Sequence, residues 1–168
     1  QHRVVVYDKA GKKLQVIGTR GGENGQFNVP LQGTVAADGT LYVLDAGNFR
    51  VQAFDKEGKF LRSFGGVGRE FGNFARPRGI AVDDEGNIYV SDASFNNFQI
   101  YNPDGQLLLA IGKGGTESNP GRYGLLSGIA VDETGRVYVA DQLFNKVEVI
   151  RRLSESEGQQ ILLEESKK

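Results

Sequence analysis

Three aspartates recur at matching places along the chain, Asp45, Asp92 and Asp141, and Arg50, Asn97 and Lys146 follow them at a constant offset. Arg3 opens an equivalent stretch near the start. Carboxylates repeated in successive units could line a pore and bind a cation. They could equally accept backbone N–H bonds in their own turns or pair with the neighbouring base. The structural role is favoured, because catalytic residues usually occur once in a chain rather than once per repeat. A second set lies in three Gly-rich segments, 18–30, 65–77 and 112–126, where Arg69, Arg76, Arg78, Arg122 and Tyr123 are interleaved with Phe27, Phe71 and Phe74. Arg and aromatic side chains are the commonest anchors of protein interfaces, so these five are the candidate partner contacts. Phe27, Phe74 and Tyr123 fall at nearly the same place in each segment, which also suits residues that plug a crossover.

Composition removes several chemistries. The 168 residues include no Cys and one His, which excludes disulfides, thiolate nucleophiles, Cys-based zinc sites and any zinc site built on two or three His. A Ser-His-Asp arrangement would have to use His2, and nothing resembles a nucleophile elbow. Residues 65–72 are rich in Gly but lack the GxGxxG spacing and a Walker Lys-Ser/Thr pair. No catalytic residue, cofactor or metal is therefore expected in this chain. A formal net charge of −1 gives no global basic field, and Glu23, Glu70 and Glu117 dilute the loop arginines, so nucleic-acid binding is disfavoured. No apolar run approaches the roughly 20 residues of a membrane-spanning helix.

The elements that carry these residues follow from periodicity. Tyr42, Tyr89 and Tyr138 sit in related stretches, Gly33 to Asp45, Gly79 to Asp92 and Gly128 to Asp141. Downstream, Arg50 to Asp55 matches Arg3 to Asp8, Asn97 to Asn102 and Lys146 to Arg151. Each unit reads as four short strands rich in Ile, Val, Leu, Phe and Tyr. Tight turns such as Asp38-Gly39, Glu57-Gly58, Glu85-Gly86, Asp104-Gly105 and Thr134-Gly135 separate them. Four-stranded antiparallel sheets repeated every 40 to 50 residues describe an all-β fold, a β-propeller.

The pattern Pro77 to Asp83, Gly86 to Asp92, Asn48 to Asp55 and Gly58 to Gly65 resembles the NHL repeat. The resemblance runs from Arg3 to about Ile150. Asn97 and Lys146 depart from the Arg of the motif, and Leu126 from its Pro. It implies closed propellers of about six blades, of which this chain supplies some three and a half. Some NHL-like propellers are lyases using His-bound metal, lactonase propellers are similar with acidic calcium sites, and some NHL domains bind RNA on a basic face. Those readings stand as alternatives, an enzyme site then lying in blades not present here.

The expected organisation is a propeller segment over 1–150, with repeats at 1–32 (partial), 33–78, 79–127 and 128–158, then a closing strand or tail over 151–168. Gly158 to Leu163 supplies the last outer strand in the favoured version, an amphipathic helix in the other. The missing Met and the start within a repeat suggest the C-terminal half of a longer propeller; the alternative is a second copy that completes the ring. The expected function is a non-catalytic binding or scaffold module that takes another protein on the long-loop face. A Cys-free, Asn- and Gly-rich composition slightly favours an extracellular or periplasmic setting over a cytoplasmic one.

Overall fold

The computed structural model describes residues 1–153 and 155–166. Runs of β-branched and aromatic residues between Asp- or Asn-initiated turns fold as antiparallel hairpins. Strands β1 (Val4–Tyr7) and β2 (Lys13–Ile17) form the first sheet. In the loop that follows, β3 (Thr19–Arg20) and β4 (Gln26–Phe27) make a short parallel rung. The second sheet is β5 (Pro30–Val35), β6 (Leu41–Asp45), β7 (Arg50–Phe54) and β8 (Phe60–Phe64), in sequential order. The third is β9 (Pro77–Val82), β10 (Ile88–Asp92), β11 (Asn97–Tyr101) and β12 (Leu107–Ile111). A second parallel rung, β13 (Lys113–Gly114) with β14 (Arg122–Tyr123), leads to the fourth sheet of β15 (Leu126–Val131), β16 (Arg136–Asp141) and β17 (Lys146–Arg151). Helix α1 (Glu155–Glu165) ends the described chain.

Successive sheets stack face to face, and the apolar clusters lie between them. Ile17, Phe27, Val43 and Phe54 join the first sheet to the second. Leu44, Val51, Phe64, Phe74, Ile88 and Tyr101 join the second to the third, with the Phe64 and Tyr101 rings 4.7 Å apart. Phe98, Tyr123, Leu126, Val137 and Val139 join the third to the fourth. The middle sheets are covered on both sides, so β10 is buried at every position, its polar Ser91 and Asp92 included. Strand β17 alternates half-buried and exposed residues, with Val147 and Val149 facing outward. The first strands β5, β9 and β15 run side by side, and Ile80 N–H donates to Gln32 Oε1 at 3.2 Å.

The hairpin turns are held by their first residue. Asp55 Oδ1 accepts from the backbone N–H of Glu57 and Lys59, and Asp8 Oδ1 does the same for Ala10 and Lys12. Each fourth strand carries a β-bulge at one place, leaving Leu14, Leu61 and Leu108 without a cross-strand partner. The residue before each third strand is left-handed: His2, Phe49, Asn96 and Asn145.

The expectation of a closing strand over Gly158 to Leu163 is not met in this structure. Residues Glu155–Glu165 are helical, and the fourth sheet stops at three strands among the described residues. Lys146 lies twelve residues ahead of Gly158, whereas Arg50 and Asn97 lie eight ahead of Gly58 and Gly105. The longer connection removes the two-residue turn that would force the chain back along β17.

Candidate binding face

Each repeated aspartate fastens a long loop to the turn between the second and third strands. Asp92 Oδ2 accepts from the N–H of Ala75 and Arg76 at 2.8 and 2.9 Å, and Oδ1 from Ser94 and Phe95 at 2.8 and 3.1 Å. Asp141 repeats this with Gly124 and Leu125 from the loop and Leu143 and Phe144 from the turn. Burial alone would raise its pKa, but the four N–H donors outweigh it and hold the carboxyl below the usual range. Asp45 takes Asn28 N–H at 2.7 Å and otherwise side-chain donors: Asn48 Nδ2, Arg50 Nε at 3.1 Å and Gln52 Nε2. All three aspartates are buried, with their oxygens committed to this fastening.

The third strand supplies a second clasp. Gln52 and Gln99 are fully buried; their Oε1 atoms accept from Gly25 and Gly72 N–H, and their Nε2 atoms donate to the carbonyls of Gln26 and Asn73. The fourth sheet has Glu148 at this place. Its Oε1 accepts from Gly121 N–H at 2.8 Å, but a carboxylate cannot donate, and Lys146 Nζ reaches the Arg122 carbonyl instead at 3.0 Å. The same ammonium pairs with Glu148 Oε2 at 2.8 Å. Burial works to raise the Glu148 pKa; the Lys146 hydrogen bond and the Gly121 N–H overcome it and leave the pKa lowered. Arg50 plays the corresponding part in the second sheet, donating to the carbonyls of Glu23 and Gln26.

The loops are then plugged. Phe27, Phe74 and Tyr123 have no exposed surface. Each ring lies over a glycine at the start of its loop: a Cβ at Gly65, where φ is +86°, would come within 2.4 Å of the Phe74 ring. No other residue accepts both that φ and that approach. Tyr123 is therefore a packing residue, and its place among the partner contacts is corrected. Its hydroxyl donates to Glu148 Oε1 at 3.3 Å, and burial pushes its pKa up. Arg122 is half-buried and donates to the Gly114 carbonyl of its own loop.

What remains for contact is on loop 65–76 and the start of β9. Arg69 and Arg76 are exposed and Arg78 is half-buried, and none of the three pairs with a carboxylate among the described residues. Arg76 immediately precedes β9, and Arg78 is the bulged residue at the start of that strand, without a partner in β10. The sequence reading left Val67 and Phe71 outside its candidates. Here they are 74% and 72% exposed, flanking Arg69. Their signal was a broken repeat, since Asn24 and Pro120 stand at the places of Phe71 in the other loops.

Stacked four-stranded sheets with the first strands side by side make this fold a β-propeller. Residues 74–100 match the family model of the NHL repeat. The chain carries an NHL repeat. Three solved structures share this propeller fold. Kuenenia stuttgartiensis hydrazine synthase is 22% identical, with a TM-score of 0.58 over 73% of this chain and 32% of that one. A streptogramin B lyase is 14% identical, with a TM-score of 0.58 over 92% and 49%. Selenomethionine-substituted virginiamycin B lyase from Staphylococcus aureus is 10% identical, with a TM-score of 0.60 over 92% and 50%. The chain thus spans about a third to a half of the length of these structures. No curated protein sequence matches it.

Proposed function

We propose that this propeller segment is a binding module that takes another protein on its long-loop face, with no bond chemistry of its own. The observation that carries the reading is Phe71, an aromatic ring 72% exposed on a loop whose backbone is otherwise clasped by Gln99 and Asp92. Val67 beside it adds apolar area, and Arg69, Arg76 and Arg78 supply cations free to pair with a partner. A few aromatic and Arg anchors on a rigid frame dominate most interfaces. The test compares proteins captured by the wild type with those captured by Phe71→Ser and by Arg76→Glu/Arg78→Glu. Both variants should lose a shared partner while keeping the melting temperature, because the substituted groups touch nothing in the core. An unchanged captured set refutes the reading.

A propeller lyase is the second reading, favoured by the likeness to the streptogramin B and virginiamycin B lyase structures. Incubation with streptogramin B tests it, an unaltered chromatographic retention of the substrate removing it.

A further inference from the structure

Between the third and fourth sheets lies an open groove of about 630 Å³. Phe98, Ile100, Leu109, Ile111, Val137 and Ile150 line it, and it runs beside β17. Two features of the preceding interfaces are absent here among the described residues. Tyr7, Phe54 and Tyr101 stand at the place of Ile150 in the other sheets, so a ring is missing. The turn into a fourth strand is missing as well. In the third sheet that turn presses Gly105 onto Phe64, where a Cβ would lie 2.6 Å from the ring, and in the second it presses Gly58 onto Ile17, where a Cβ would lie 2.9 Å from Cγ1. Ile111 is the residue corresponding to Ile17 and Phe64, and nothing lies within 4 Å of the Cβ position of Gly158.

We propose that Gly158–Glu164 is the occupant of this groove, and that α1 is its undocked form. Three fourth strands share one pattern, a left-handed Gly followed three residues later by the bulged Leu: Gly11 and Leu14, Gly58 and Leu61, Gly105 and Leu108. Gly158 and Ile161 repeat that spacing. The next positions alternate as the outermost strand of an open stack should: Leu162 and Glu164, in register with Leu109 and Ile111, share the side on which no fifth sheet packs, and Leu163, in register with Ala110, faces the groove. As a helix the same segment leaves Ile161, Leu162 and Leu163 at 42%, 67% and 61% exposure. The helix is tied to the end of β17 by the exposed Arg151–Glu157 pair at 2.8 Å, and eleven residues with Gly158 closing the first turn make it marginal. Strand β17, in contrast, offers a free row of backbone donors and acceptors along an apolar groove, which a strand satisfies and a helix does not.

The register is specific. Ile100 opposes Leu109 in the third sheet, so Val149 should oppose Leu162 in the fourth. The chain has no native Cys, and Val147, Val149 and Leu162 are exposed, so paired cysteines can be placed without disturbing the core. Under mild oxidation Val149→Cys/Leu162→Cys should close an intramolecular disulfide at least ten times faster than Val147→Cys/Leu162→Cys, which is two residues out of register. Adding Gly158→Val should abolish the difference by placing a branched side chain against Ile111. Equal rates for the two pairs would show a swinging helix and overturn the proposal. A disulfide-linked dimer would overturn it too, by giving the seat to a second copy.

Discussion

Replacing Asp141 by Asn tests whether the aspartate fastening holds the loops. The carboxylate accepts four backbone N–H bonds at 2.7 to 3.2 Å. Three of the donors share Oδ1 and Gly124 N–H alone meets Oδ2, so an amide that keeps its oxygen on the three turns its NH2 group toward Gly124: one charge-assisted bond is lost and three become bonds to a neutral acceptor. With about 1.5–3 kcal/mol lost at Gly124 and about 1 kcal/mol at each of the other three, the gross loss is about 4.5–6 kcal/mol, reduced because a neutral amide is easier to bury, leaving about 3 kcal/mol. For a chain of this size that lowers the melting temperature by about 6–12 °C at pH 7. The pH profile adds a sign. The pKa of Asp141 is lower in the folded chain than its ordinary value, so its contribution is full above the unfolded pKa and fades as pH falls through the folded one. Wild type should therefore lose stability on acidification more steeply than Asp141→Asn, and the gap between them should narrow below about pH 4. Calorimetry from pH 7 to pH 3 reads both quantities. A fall of less than about 2 °C at pH 7, or parallel pH profiles, would refute the argument.

Gly65→Ala should cost about 2–4 kcal/mol, from the collision with Phe74 and the left-handed backbone, read by urea unfolding. Gly72→Ala, left-handed but with open space around it, should cost about 1–2 kcal/mol. Lys146→Asn should destabilise by about 2 kcal/mol, stranding Glu148 and the Arg122 carbonyl. Lys146→Asn/Glu148→Gln recreates the Asn97 and Gln99 pair of the third sheet and should recover most of that loss, a coupling of at least about 1 kcal/mol. Additive single effects would show that the two positions are independent. Asn96→Ala should cost about 1 kcal/mol, since its left-handed φ favours Asn or Gly.

The sheets were legible because their period is a property of side-chain type: turn residues and β-branched runs recur together, and both report local backbone preference. The matching places of Asp45, Asp92 and Asp141 were legible for the same reason. The fate of Tyr123 was legible as one of two readings: its place, matching Phe27 and Phe74, suited a plug, while an aromatic ring on a Gly-rich loop has the same composition whether it plugs the loop or projects from it. Gly112, over which it packs, distinguishes the two only once the chain is folded. The exchange of an Asn–Gln pair for Lys146 and Glu148 was hidden similarly. Each residue alone looks like a tolerated polar substitution, and the reason lies in which of them must donate to a loop carbonyl. The tail is helical here although Gly158 to Leu163 carries the spacing of an outer strand, because its connection is four residues too long to enforce one.

The three bulged leucines have a consequence for how copies of this molecule meet. An extra residue buckles the outer strand and throws its remaining N–H and C=O groups out of step with any straight strand laid alongside. A foreign chain can add only two or three rungs before losing registry, so the rims of the first three sheets are poor templates for aggregation. Solubility then rests on Leu14, Leu61 and Leu108, residues that touch no core. Deleting Leu61 should leave the buried faces of the second sheet intact while straightening β8 into an adhesive edge.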